Sequence, residues 1–263
     1  MRYFDSHAHY YDDRFTEEIE GGAGSLLGAL LSSEASYIVN VGTNPENCLE
    51  AIAQAKAFDN MYTALGIHPS DCQYLKGSME EEISKIKALI CERENKCVAL
   101  GEIGLDYHYP DTDKKKQAEY FRAQMKLAEE LSLPVVIHDR DSHEDVISVL
   151  KEFPCVKGVL HSFSGSAEMA KEVIKLGYMI SFSGTLTFTN ARKPKEVAAV
   201  IPIEKILIET DSPYLAPHPK RGTLNHSGNL VYTNAALAAI KGISEEECAA
   251  ITEKNAKEFF GIT

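Results

Sequence analysis

The sequence lacks the cysteine patterns that mark common metal, redox and disulfide sites. Its six cysteines include no C-x-x-C pair, and they are too sparse for the disulfide framework of a small secreted domain. The first residues lack the basic and then apolar pattern of a signal peptide, and no apolar run approaches the roughly 18 residues of a membrane span. We therefore expect a soluble, cytoplasmic protein with reduced thiols and no membrane partner.

Basic residues are also scarce. The chain has 27 Lys and Arg against 39 Asp and Glu, which gives a formal net charge of -12. Such a balance argues against broad, nonspecific attraction to nucleic acid or to an anionic membrane. Any anionic substrate must then be attracted by a local basic patch or by a metal ion.

Short apolar strands and amphipathic helices alternate along the chain. Eight strand-like runs are separated by helical patterns, at the spacing of successive βα units. The runs are a first strand beginning near Tyr3, then residues 36–41, 62–69, 97–102, 135–138, 158–161, 178–183 and 206–211. A chain of 263 residues suits one such unit, so we predict an α/β protein with a single (β/α)8 TIM-type barrel. A doubly wound open sheet is the alternative, but no G-x-G-x-x-G turn follows the first strand.

Local signals indicate two helix starts and one loop. Ser78 with Glu81, and Ser244 with Glu247, each have the spacing of a capping box. Residues 212–229 form the longest connection without a regular pattern. We expect a functional loop there, because long irregular connections in a compact domain usually carry function.

Two histidines near the start form the first candidate site. His7 and His9 lie two residues apart in a predicted strand, so their imidazoles point to the same face, with Asp5 on the same parity. Two converging imidazoles make half of a divalent-metal site, although H-x-H alone also fits two structural histidines. The remaining ligands have to come from other strands.

Further polar residues stand at the ends of the predicted strands, where barrel enzymes build their active sites. These residues are His68, Glu102, His138, His161 and Asp211. One acidic residue at such a position is often a helix cap, but the whole set is hard to explain in that way. Four imidazoles and two carboxylates suffice for two divalent ions, and their nitrogen and oxygen donors permit Zn, Mn or partly hydrated Mg.

Six sequence blocks at these positions resemble the signature blocks of the TatD family of metal-dependent deoxyribonucleases. They are FDSHAH at 4–9, GIHP at 66–69, GEIGLDY at 101–107, HDR at 138–140, HSFSG at 161–165 and ETDSPYL at 209–215. The resemblance extends from end to end of the chain. It implies one domain over residues 1–263, with the metal-dependent hydrolase type of barrel.

The resemblance also implies roles for individual residues. Glu102 would bridge two metal ions, and His68 would face the scissile phosphate of a DNA substrate. The implied ligands are His7, His9, Glu102, His138, His161 and Asp211. The implied activity is stepwise removal of nucleotides from the 3′ end of DNA, preferably single-stranded DNA, with no obligate protein partner.

One segment departs from the family pattern. After Arg221-Gly222 and Asn225 the family usually has an acidic residue and Pro, whereas this chain has His226-Ser227. The resemblance therefore does not fix the shape of the substrate loop.

Chemical grounds suggest further roles near the predicted metals. Asp211 could accept a proton from the attacking water, or serve only as a ligand. Arg140 shares parity with His138 and offers a bidentate fork for phosphate, or a salt bridge to a neighbouring acid. Glu209, two residues before Asp211, is a candidate to support a ligand from behind.

Two local basic clusters follow predicted strands on the metal side of the barrel. They are the lysines at 114–116 and Lys220-Arg221, and either cluster could guide a polynucleotide backbone.

The candidate catalytic residues from the resemblance and the chemical arguments are Glu102, Asp211 and His68. The candidate substrate-binding residues are His68, Arg140 and Arg221.

Two other functions stay open from the sequence. One is a related barrel hydrolase that cuts an ester or amide bond, for example in aminoacyl-tRNA deacylation. Against small-ring amide hydrolysis, the chain has Glu102 where many such hydrolases carry a metal-bridging lysine. The other is a non-catalytic metal-binding protein, which fits poorly with ligands on an open rim.

Overall fold

Eight short apolar segments form the parallel strands of one sheet in a computed structural model that describes all 263 residues. The strands are β1 (Tyr3–Ala8), β2 (Ala35–Gly42), β3 (Met61–Leu65), β4 (Cys97–Asp106), β5 (Val135–Arg140), β6 (Gly158–Leu160), β7 (Met179–Phe182) and β8 (Ile206–Ile208). They lie side by side in chain order, and a parallel bridge between Ala8 and Ser212 brings the end of the sheet back to β1. The sheet is thus a nearly closed barrel, which confirms the predicted fold and excludes the doubly wound order.

Helices connect the strands and cover the outside of the barrel. They are α1 (Arg14–Glu18), α2 (Gly22–Ser33), α3 (Pro45–Lys56), α4 (Met79–Cys91), α5 (Lys114–Leu131), α6 (His143–Glu152), α7 (Ala167–Lys175), α8 (Arg192–Val200), α9 (Leu230–Lys241) and α10 (Glu245–Phe260). Ser78 and Glu81 form both halves of the predicted capping box at the start of α4. At α10 only half of the predicted box is present, because Ser244 accepts from the backbone of Glu247 without a reciprocal bond. None of the helices is both long and apolar enough to span a membrane.

The barrel interior is filled with apolar side chains at one end and polar side chains at the other. Val136 and Val159 belong to a buried cluster of 12 residues that also includes Phe260 of α10. His138 and His161 lie two residues further along the chain from these valines, on the same parity. The apolar cluster and α10 therefore close the amino end of the barrel, and the imidazoles stand at the carboxyl end.

Most site residues lie at positions that differ from the predicted strand bounds. His138 lies inside β5, and His9 and His161 each lie one residue beyond the end of β1 and of β6. Glu102 lies inside β4, because this strand continues to pair with β5 as far as Asp106, so the predicted end at residue 102 was wrong. His68 lies beyond β3, which ends at Leu65, and Asp211 lies beyond β8. Both residues therefore reach the centre from irregular backbone.

Candidate metal centre

The first donor group gathers around one oxygen of Glu102. The Nε2 atoms of His7 and His9 are 3.0 Å apart. They lie 3.3 and 3.7 Å from Glu102 Oε2, and 3.7 and 3.4 Å from Asp211 Oδ1. Ligand atoms about 2.1 Å from a tetrahedral ion are roughly 3.4 Å from one another. The spacing in this group therefore fits a single divalent ion.

The second donor group gathers around the other oxygen of Glu102. His161 Nε2 lies 2.7 Å and His138 Nδ1 lies 2.8 Å from Glu102 Oε1, and these two nitrogens are 3.1 Å apart. His68 Nε2 is 3.5 Å from the same oxygen. One carboxylate thus presents an oxygen to each of two groups of imidazoles, which is the arrangement that a bridge between two ions requires.

Charge within the centre favours ionised carboxylates. Burial raises the pKa of Glu102, but the surrounding imidazoles, His161 foremost, outweigh burial and hold it well below its usual range. Burial likewise raises the pKa of Asp211, but the hydrogen bond with His9 and the nearby imidazoles outweigh burial, so the pKa of Asp211 lies below its usual value. Both side chains therefore carry negative charge at neutral pH, as metal ligands must.

Asp5 connects the first strand to the segment that carries Asp211. Its carboxylate accepts hydrogen bonds from the backbone N–H and the hydroxyl of Thr210, at 2.9 and 2.6 Å. It also accepts a bond of 2.7 Å from the hydroxyl of Ser227. The carboxylate is fully buried, which raises its pKa to about 6 despite these bonds. This network fixes the ligands of β1 and the ligand Asp211, which follows β8, relative to each other.

Ser227 occupies the position at which the chain departs from the family pattern. Its backbone N–H donates to the hydroxyl of Tyr10 at 2.8 Å, a bond that Pro cannot form. Its own hydroxyl lies between Tyr10 and Asp5. The departure therefore adds hydrogen bonds that hold the loop after β8 against the first strand.

A cavity of about 520 Å³ opens over both donor groups. Five carboxylates line it, those of Asp12, Asp71, Glu102, Asp106 and Asp211. Arg140 is the only Lys or Arg among the lining residues. A phosphate would be repelled from such a cavity unless divalent cations offset the carboxylates, so the charge of the lining itself favours metal dependence.

Comparisons with known proteins identify the family of the chain. The model of the family described as "TatD related DNase" matches residues 4–261. The chain belongs to the TatD family. It is 40% identical over 261 residues to the "uncharacterized metal-dependent hydrolase YabD" of Bacillus subtilis, covering 98% of this chain and 99% of the relative. It is 32% identical over 244 residues to the Mycobacterium tuberculosis hydrolase TatD, covering 90% of each chain.

A solved structure extends the family likeness to the fold. The crystal structure of the Escherichia coli TatD homologue YJJV superposes with a TM-score of 0.89 at 29% identity, covering 100% of this chain and 99% of the other. This chain is thus a TatD-family metal-dependent hydrolase, and its donor groups are consistent with the use of a divalent metal.

The predicted substrate-binding residues of this TatD-family hydrolase are in different places. Arg140 lines the cavity beside Tyr109, and no carboxylate oxygen lies within ion-pair distance of it. Arg221 is not among the residues that line the cavity. Its guanidinium lies 4.0 Å above the ring of Phe188 and donates to the carbonyl oxygen of Ala216. Of the two arginines, only Arg140 is positioned to meet a phosphate inside the cavity.

Asp106 is a residue of the centre for which sequence reasoning gave no role. Its Oδ2 lies 3.0 Å from Nε2 of His138, whose Nδ1 faces Glu102. Glu209 stands in the same relation to His161, at 3.2 Å from its Nδ1. The available signal was parity, because Asp106 follows Glu102 by four residues in one strand.

Replacing Asp106 with Asn should lower metal affinity about tenfold to a hundredfold, the usual effect of removing a carboxylate behind a ligating histidine. The carboxylate accepts a hydrogen bond from the Nε2–H of His138 and so leaves Nδ1 free to bind a metal. Competition with a chelating dye measures the change. Asp139→Asn is the matched control, since Asp139 makes the same kind of contact with His143, outside the centre. Equal metal affinity in both variants would contradict this role.

Proposed function

We propose that this hydrolase is a deoxyribonuclease that removes nucleotides from the 3′ end of DNA, prefers single strands and works with two divalent ions, Zn, Mg or Mn. The observation that carries the proposal is the position of Glu102, with one oxygen toward each donor group. The DNA substrate is supported by the family description "TatD related DNase". The proposed ligands are His7, His9, Glu102, His138, His161 and Asp211.

Chain residues have distinct parts in the proposed reaction. The chemistry that bound divalent ions supply is polarisation of a phosphate and activation of water. Asp211 accepts the proton of the attacking water, because it is ionised and faces the cavity. Arg140 and His68 line the same cavity and hold oxygens of the scissile phosphate.

The rim of the cavity supports a preference for unpaired DNA. Tyr109 and Tyr214 both line it, and they are 55% and 47% exposed. Exposed aromatic rings of this kind stack on unpaired bases, each contributing about 1–3 kcal/mol. A recessed cavity with such a rim admits a frayed terminus more readily than the middle of a stiff duplex, which would have to bend and unstack.

Circular single-stranded DNA tests the proposed dependence on ends. We expect linear single strands to be degraded in the presence of added metal, and a circle of the same sequence to persist at least about tenfold longer. The circle offers no terminus to the cavity, so its cleavage requires a loop of strand to enter. Gel analysis of labelled substrates measures both rates. Equal rates would make the enzyme an endonuclease, and stability of both substrates would remove the DNA assignment.

A further inference from the structure

Four exposed or half-exposed cations lie beside the cavity, on the connections that follow β7 and β8. They are Lys193 and Lys195 in the first turn of α8, and Lys220 and Arg221 in the loop after β8. We name this group the basic strip. Because both connections follow the carboxyl ends of strands, the basic strip lies on the same side of the barrel as the metal centre.

The two halves of the basic strip meet at one residue. Arg221 lies 4.0 Å above the ring of Phe188, and Lys195 Nζ donates to the carbonyl oxygen of Phe188 at 3.0 Å. A second contact joins the same connections, because the N–H of His218 donates to Thr187 at 2.8 Å. The cations are therefore held on one continuous surface rather than on two independent loops.

The positive charge of the basic strip is not offset by acidic neighbours. No carboxylate oxygen lies within 4.0 Å of the charged nitrogens of its four members. The adjacent Arg192, in contrast, pairs with Glu196 at 2.8 Å. At the other predicted cluster, Lys115 approaches Glu119 at 3.9 Å. The basic strip is thus a group of four cations that an acidic chain leaves without carboxylate partners, on the side of the barrel that carries the cavity.

One end of the basic strip adjoins the wall of the cavity. Arg221 donates to Ala216, two residues after Tyr214, which lines the cavity. The other end of the basic strip is Lys193, which lies near His143 at the start of α6. Its charge opposes the rise in the pKa of His143 that Asp139 causes. A chain of phosphates whose end sits in the cavity can therefore continue along the basic strip.

We propose that the basic strip holds the backbone of the DNA strand as it leaves the cavity, several nucleotides away from the cleaved bond. The assignment of the strand as DNA rests on the proposed function. Unpaired Lys and Arg side chains bind phosphates without regard to sequence, as a processing enzyme requires. A membrane surface fits less well, because the exposed large apolar side chains on α8 and on the loop after β8 are only Tyr214, at the cavity wall, and Val200, the last residue of α8.

Two triple variants of equal charge test the proposal. The first replaces Lys193, Lys195 and Lys220 of the basic strip with Gln. The control replaces Lys56, Lys157 and Lys175 with Gln, three exposed lysines at the opposite end of the barrel. Both variants lower the formal net charge by three, so any general effect of charge is the same. Binding of a 5′-labelled, nuclease-resistant single strand to the metal-loaded protein is followed by fluorescence anisotropy at several salt concentrations.

We expect the strip variant to bind a 12-nucleotide strand at least about tenfold more weakly at roughly 0.1 M salt, with a salt slope reduced by about two. A dinucleotide, which fills only the cavity, should bind both variants equally. Equal affinity of the two variants for the long strand would overturn the proposal. The proposal would also be overturned if the strip variant kept its affinity for DNA but lost binding to anionic phospholipid vesicles. If the strip variant loses DNA binding but the wild type degrades no DNA, the basic strip stands and the proposed function fails.

Discussion

Replacing Glu102 with Gln should reduce the rate of DNA hydrolysis at least about a hundredfold, a loss of roughly 2.7 kcal/mol of transition-state stabilisation. A neutral amide offers one oxygen and one NH2 group where the carboxylate presents an oxygen to each donor group. It can therefore serve one group but not both. Initial rates on a labelled single strand, measured with the metal content of the same sample, give the result.

Glu82→Gln is the control for this change. Glu82 is equally buried, at 3% exposure, and it accepts a hydrogen bond from Gly77 and pairs with Lys85 on α4, outside the cavity. Thermal unfolding followed by circular dichroism should find both variants folded. A Glu102 variant that is poorly soluble, yet fully active in its soluble fraction, would make Glu102 a structural residue.

Replacing His7 and His9 together with Ala should remove at least one metal ion per chain and abolish measurable DNA hydrolysis. The two imidazoles supply half of the donor group that also contains Asp211 and one oxygen of Glu102. The barrel should remain folded, because the apolar cluster that fills its interior lies toward the opposite end. Metal content is measured by elemental analysis after dialysis.

His108→Ala with His218→Ala is the matched double variant, since both of these histidines are exposed and belong to neither donor group. It should keep the metal content of the wild type. Undiminished metal in the His7 and His9 variant would place the ions elsewhere in the chain.

Much of the centre could be predicted because regular strands have a fixed geometry. His7 and His9 converge because side chains two apart along an extended segment share a face, and His138 and His161 each follow the paired residues Ile137 and Leu160 of adjacent strands. The order of the strands around the barrel brings Asp211 beside His7, where its N–H donates to the His7 carbonyl. The periodicity of the strands and their order along the chain were therefore sufficient to predict that these residues lie together.

The rest depends on irregular backbone, for which no periodic rule exists. His68 lies three residues beyond β3, and its approach to Glu102 follows from a turn rather than from strand parity. A register shift between Leu100 and Ile103 in β4 moves the pairing around Glu102, and the strand then continues to Asp106. The position of Arg221 depends on a contact with Phe188 from another connection, which sequence spacing does not indicate.

Two divalent ions bridged by Glu102 are the proposed requirement for hydrolysis of DNA. The most direct test of this requirement is to free the wild type of metal by chelation and then add Zn, Mn or Mg stepwise. Bound metal per chain and hydrolysis of an end-labelled single strand are measured at each step. We expect no hydrolysis without metal, and full hydrolysis only as the second equivalent binds. Full hydrolysis of the strand in excess chelator would contradict this requirement.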